Sequence, residues 1–188
     1  MKQIILASKS PRRQELIKGL DIPFTIKTYE VDESFPDDLR AGEIALYLAN
    51  KKAACYPDEL KKDEILITCD TIVWVNNHVL NKPENENMAL EMLTELSGKF
   101  HQVYTGVCIK TSKESIAFFE ETKVHIKPCL EVDLRYYIKT YQPFDKAGSY
   151  GIQDWFGYTA VEKIEGCFYN VMGLPVAKLF ETLRPLLQ

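Results

Sequence analysis

Hydrophobic and polar positions alternate along this chain with periods that change several times, and each change marks an element. Ile4-Ile5-Leu6-Ala7 is a short apolar run of the kind a buried strand carries. The chain then turns polar and cationic at Ser8-Lys9-Ser10-Pro11-Arg12-Arg13, and a helical period begins at Gln14-Glu15-Leu16-Ile17. Ser10 with Pro11 predicts a helix start, its hydroxyl capping the first free amides and proline taking the first helical position. Gly19 predicts a left-handed helix end. Residues 24–29 alternate as a strand, and residues 31–38 form an acidic loop in which Pro36 prevents continuation as sheet. A stripe with Ile44 and Leu48 predicts a helix over 42–55. Residues 64–75, Glu-Ile-Leu-Ile-Thr-Cys-Asp-Thr-Ile-Val-Trp-Val, are the most strand-like segment, with Asn76-Asn77 as a tight turn and His78-Val79-Leu80 as the return.

Further on, a helix is predicted over 85–96 and ended by Gly98, and residues 101–111 and 115–126 read as an antiparallel pair. A helix follows over 133–140. Residues 142–154 are a long irregular stretch in a chain otherwise sparing with loops, and such stretches usually carry function. Residues 158–164 and 167–171 read as two short strands turning at Glu165-Gly166, and Pro175 opens a last amphipathic helix. This order predicts an α/β protein with a mixed central sheet flanked by helices.

Composition narrows the class. With 188 residues, 46% of them hydrophobic, the chain can bury a core as one domain or as two lobes sharing a sheet. A net charge of −4 argues against a partner such as a nucleic-acid polymer, because no global cationic field is present. The five cysteines (55, 69, 108, 129, 167) are odd in number and lack any C-x-x-C spacing, which reads as reduced thiols in a cytoplasmic protein. His78, His101 and His125 lack metal-ligand spacing, so an expected metal is a hard cation on oxygen ligands. No signal peptide and no membrane span are expected.

Among individual residues Asp70 is the sharpest. A carboxylate inside an apolar strand costs several kcal/mol (roughly) unless it is paired or holds a metal, so it marks either a structural salt bridge or a site. The loop 8–13 combines two hydroxyls, two guanidinium groups and a helix start, which suits an anion, although adjacent arginines more often solvate a helix face. Lys51 and Lys52 lie about 100° apart on a helix, so only one of them can readily turn inward. Gln153 follows a glycine-containing loop and offers both a donor and an acceptor, matching the N3–H and neighbouring carbonyl of uracil or thymine. Two carboxylates for a divalent cation, several cations for a triphosphate and no Ser-His-Asp or Cys-His arrangement favour attack by water on phosphorus.

Five motifs in order then resemble one family, the Maf nucleoside triphosphate pyrophosphatases. They are Ser8–Arg13 (S-x-S-P-R-R), Asp70-Thr71 with Lys82-Pro83, Tyr104-Thr105-Gly106-Val107, the run from Asp145 through Gly148 and Gly151 to Gln153, and Gly166 followed by Asn170-Val171-Met172-Gly173-Leu174-Pro175. The resemblance covers essentially the whole chain, 1–188, as a single Maf-like domain. It implies two lobes around a deep cleft, an architecture related to the inosine triphosphate pyrophosphatases, and hydrolysis of a nucleoside triphosphate substrate between the α and β phosphates. Carried over residue by residue, it implies Asp70 as proton acceptor and metal-side carboxylate and Glu33 as the second acid. Ser8, Arg13, Lys52 and Lys82 match the phosphate cradle, and Arg12, Thr71 and Gln153 the positions that set preference for dTTP and UTP. A divalent cation (Mg²⁺, with Mn²⁺ or Co²⁺ as alternatives) and a homodimer are further implications. Two departures stand out: Thr68-Cys69 replaces a usual Gly-Ala, and Asp154-Trp155 follows Gln153 where glycine is usual. A nucleotide-binding regulator of septum formation with little turnover is the alternative that the family's association with division arrest keeps open.

Overall fold

The computed structural model describes residues 2–187. Among them the strands are β1 (Gln3–Leu6), β2 (Phe24–Ile26), β3 (Glu64–Val75), β4 (His78–Leu80), β5 (Phe100–Lys110), β6 (Ser115–Ile126) and β7 (Val161–Glu165). The helices are α1 (Pro11–Lys18), α2 (Gly42–Ala54), α3 (Glu86–Leu96), α4 (Glu131–Tyr141), α5 (Trp155–Ala160), α6 (Phe168–Met172) and α7 (Val176–Leu183). The sheet follows the order β2-β1-β3-β5-β6-β7, with β4 paired to β3. β1 runs parallel to β2 and β3, whereas β3–β4 and β6–β7 are antiparallel, so the sheet is mixed as expected. The chain divides into two compact units, Met1–Asp70 with Thr105–Glu120 and Gly173–Gln188, and Thr71–Tyr104 with Glu121–Met172.

The first unit is organised by the two-residue period of its strands. Ile4, Leu6, Ile65, Ile67 and Cys69 point to one face, where they pack with Ile17, Leu179 and Leu183. Ile5 and Leu66 point to the other, against Ala49 and Ala53 of α2. Fully burying side chains of this size contributes about 1.5–3 kcal/mol each, which is what fixes the register. α2 lies very close to the sheet because Gly106 of β5 has no side chain: a Cβ there would stand 2.1 Å from the Ala45 carbonyl oxygen. That contact accounts for the glycine in the Tyr104–Val107 motif.

Several boundaries differ from expectation. Ser10 makes no side-chain cap at α1; the Ser8 hydroxyl instead accepts from the Ser10 N–H at 3.2 Å. Gly19 is right-handed, with φ −64°, and the left-handed residue is Asp21, with φ 55°, because the chain closes one more turn before leaving the helix. β2 spans three residues only and ends at Ile26.

In the second unit, Val73, Val75, Leu80, Leu93, Leu96, Val124, Ile126, Tyr137, Tyr150, Ile152 and Phe156 share one core. Asn85 caps α3 by accepting from the Met88 N–H at 3.0 Å, and Asn76 and Asn77 both take positive φ in the β3–β4 turn. Here the two strands expected over 158–164 and 167–171 are corrected. Residues 158–160 finish α5, β7 is Val161–Glu165, and 168–172 is the single-turn helix α6. Five residues of alternation cannot be told from one helical turn by period alone. The helix wins because side chains satisfy its polar groups: the Thr122 hydroxyl accepts from the Cys167 N–H at 3.1 Å, and the Asn170 amide donates to Thr122 Oγ1 at 2.9 Å and to the Val103 carbonyl at 3.1 Å.

Candidate functional site

The parity that builds the first core also places its chemistry. Leu66, Thr68 and Asp70 are two residues apart on β3 and therefore share the face that meets α2. Leu66 packs on Ala49 and Ala53. One step along, the Thr68 hydroxyl donates to the Ala49 carbonyl at 2.7 Å, so the Thr68-Cys69 departure ties strand to helix while Cys69 fills the opposite core. One step further, Asp70 meets Lys52, a turn of helix beyond Ala49. The Lys52 Nζ lies 2.5 Å from Asp70 Oδ1 and 2.8 Å from Glu33 Oε1, with the Lys52 and Asp70 side chains only 15% and 12% exposed. Burial works most strongly against the ammonium and Arg13 opposes it too, but the Asp70 and Glu33 carboxylates together outweigh them and raise the Lys52 pKa.

Lys51 and Lys52 separate as their helical offset requires. Lys51 turns outward to Asp32 Oδ2 at 3.0 Å and the Ser34 carbonyl at 2.8 Å. Tyr29 secures Lys52 from the other side, its hydroxyl donating to the Lys52 carbonyl at 2.5 Å. Arg13 spends two donors on the fold, Nε to the Gly173 carbonyl at 2.8 Å and Nη1 to the Cys69 carbonyl at 3.1 Å. It thus joins the loop 8–13 to the strand bearing Asp70 and to the turn before α7. Ser8 is buried and Arg12 half-buried.

The donor set suits a hard divalent cation. Two carboxylates from separate parts of the chain converge on one positive centre, and Mg²⁺ commonly takes one or two carboxylates with substrate phosphates and water. Among the described residues no group of three or more His, Cys, Asp or Glu side chains is placed to hold a metal, so any ion here depends on further oxygen ligands.

Thr71, Lys82 and Gln153 belong to the second unit. Thr71 is half-buried at the middle of β3, and Lys82 is exposed after β4. Gln153 lines a pocket of about 580 Å³ with Ile152, Tyr158, Ile164, Phe168 and Met172. Its Oε1 is buried and has no hydrogen-bond partner. The loop before it is fastened at intervals: the Gly148 N–H donates to the Asn81 carbonyl at 3.1 Å, and the Tyr150 hydroxyl meets His101 Nε2 at 2.7 Å. Tyr29, Tyr137 and His101 escaped the reading of the sequence. An aromatic or a lone histidine in an apolar stripe carries the signature of core, and nothing in the local pattern announces where its polar atom goes.

The sequence profile of the family described as Maf-like protein matches residues 3–186. A protein of Bacteroides thetaiotaomicron named dTTP/UTP pyrophosphatase is 49% identical over 185 residues, 98% of this chain and 96% of its own length. One of Flavobacterium johnsoniae with the same name is 48% identical over 184 residues, 98% of this chain and 95% of its own. Among solved structures, a HAM1 protein from Coxiella burnetii aligns over 98% of this chain and 100% of its own, with a TM-score of 0.51 and 12% identity, a likeness of fold alone. A profile that spans nearly every residue, together with relatives almost half identical from end to end, places this chain in the Maf-like protein family.

Proposed function

We propose that this protein is a nucleoside triphosphate pyrophosphatase that hydrolyses dTTP and UTP to the monophosphate and pyrophosphate. The observation that carries the chemistry is the convergence of Asp70 and Glu33 on the Lys52 ammonium, with Asp70 and Lys52 mostly buried and Glu33 open to solvent. The names of the Bacteroides and Flavobacterium relatives support the substrates. Water attacks the α-phosphorus, the bond from that phosphorus to the α,β-bridging oxygen breaks, and pyrophosphate leaves. Asp70 orients the water and takes its proton, while Lys52 holds the Asp70 carboxylate in place. Ser8, Arg13, Lys52 and Lys82 are assigned to the phosphates, the last by its match to the family motif alone. Asp70 and Glu33 are the residues that would hold Mg²⁺ (or Mn²⁺ or Co²⁺), which supplies neutralisation of phosphate charge. Arg12, Thr71 and Gln153 are assigned to the base. The unpartnered Gln153 oxygen supports this, since a buried acceptor left unsatisfied costs about 1–3 kcal/mol and the N3–H of uracil or thymine satisfies it. A cytoplasmic homodimer whose 188 residues act as one domain completes the reading.

Purified protein with Mg²⁺ and a panel of triphosphates tests it. Pyrophosphate released from UTP and dTTP, ahead of CTP and 7-methyl-GTP, is the expected result. Orthophosphate as product would overturn the chemistry, and nucleotide binding without turnover across the panel would favour the regulatory alternative.

A further inference from the structure

Four residues, Gly151-Ile152-Gln153-Asp154, form a turn closed by the Asp154 N–H donating to the Gly151 carbonyl at 3.1 Å. Gln153 is therefore at a turn tip, and its aim depends on what holds the two ends. Both ends are tied to one atom. The Gly151 N–H donates to the Tyr137 hydroxyl oxygen at 3.1 Å, and that hydroxyl donates to Asp154 Oδ2 at 3.1 Å. Tyr137 is fully buried on α4, its ring packed among Tyr141, Trp155 and Phe156. The Lys146 Nζ stands 3.6 Å from the same Asp154 oxygen and 2.7 Å from Asp145 Oδ1. Gly151 has to lack a side chain for this to close, since a Cβ there would lie 2.4 Å from Asp154 Oδ2. Ile152, 5% exposed, anchors the turn in the core. Asp154 is thus the partner of a hydrogen-bonded brace.

We propose that Tyr137 and Asp154 are positioning residues for base selection: the Tyr137 hydroxyl bridges both ends of the turn and fixes the Gln153 amide where a uracil or thymine edge meets it. Neither residue touches substrate; both act through Gln153. The inference rests on the dTTP/UTP reading above. Burial pushes the Tyr137 phenol well above its usual range, so the hydroxyl keeps its proton and remains a donor to Asp154.

The test is Tyr137→Phe, which deletes both hydrogen bonds and keeps the ring. Expected is a fall of roughly tenfold in the ratio of kcat/KM for UTP to that for CTP, through a higher KM for UTP at a kcat within about twofold of the parent. Two lost hydrogen bonds of ordinary strength correspond to a factor of that order. Asp154→Ala reproduces the change, and Asp154→Asn, which still accepts from the phenol, restores the ratio. Should Tyr137→Phe fail to fold, Asp154→Ala carries the same comparison at a partly exposed site. An unchanged ratio in the foldable variants overturns the positioning role, because loosened packing alone lowers both substrates together. Parent enzyme that hydrolyses neither UTP nor dTTP overturns the underlying reading instead.

Discussion

The first unit holds Asp70 by charge: a lysine ammonium lies between two carboxylates, one of them on the exposed Glu33. The second unit holds Gln153 by mostly neutral groups, a phenol, an imidazole, backbone amides and a buried isoleucine, with the Asp154 carboxylate as the phenol's charged partner. Ionic contacts are strong but reorganise readily when another charge arrives, and they are costly to break from one side only. Neutral hydrogen bonds inside packed aromatics are weaker one by one, yet they fix direction and respond little to incoming charge. A centre that is to receive a polyanion and a cation suits the first kind of support, and a base-reading amide suits the second.

The largest effect expected from breaking the ionic side is catalytic. Asp70→Asn keeps the shape of the strand and leaves Lys52 its contact with Glu33, so folding by circular dichroism is unchanged. Turnover of UTP falls by about 10²–10⁴-fold, the range for loss of a positioned proton acceptor. Near-parental turnover would remove Asp70 from the mechanism. Next in size is Lys52→Met, which keeps the apolar stem and strands a mostly buried carboxylate. Urea unfolding is expected to register a loss of about 3 kcal/mol, the lower end for breaking a buried pair from one side. A loss below about 0.5 kcal/mol would mean that solvent already screens the Asp70–Lys52 contact as it does an exposed pair.

How much of this is legible before folding differs between the two sites, for reasons that individual residues make plain. Residues 64–75 are read correctly to the residue because a strand's parity is local, and that parity alone puts Asp70 on the face of Leu66 and Thr68. The choice of Lys52 over Lys51 is not legible in the local pattern and comes only from the family resemblance, because it depends on the phase of α2 against β3. Ala45, Ala49 and Ala53 set that phase, and it requires the missing side chain of Gly106 on a distant strand. The single-turn helix α6 is misread as strand since its stability resides in Thr122 and Asn170, partners 48 residues apart. The Tyr137 brace is invisible for the same cause: a tyrosine on the inner stripe of an amphipathic helix looks like core, and its hydroxyl partners lie 14 and 17 residues away.

The neutral side can be sharpened through His101, whose effect is smaller and confined to acid. Burial lowers its pKa from 6.5 to about 3, so the folded protein holds the ring uncharged against Tyr150. The unfolded chain binds a proton near pH 6.5 and the folded one does not, so stability from this group is complete above pH 6.5. It declines as pH falls towards about 3, at a slope approaching 1.4 kcal/mol per pH unit for one proton (about 2 kcal/mol between pH 7 and 5). Carboxylates add their own acid sensitivity, so the comparison needs a variant that differs in this proton alone. The double change His101→Phe with Tyr150→Phe removes both polar partners at similar volume, which avoids leaving either one unsatisfied. Its stability relative to the parent is expected to improve by about 2 kcal/mol on going from pH 7 to pH 5 in urea titrations. A difference independent of pH would show that His101 takes up its proton within the folded state, and that the anchor under the Gln153 turn is charged after all.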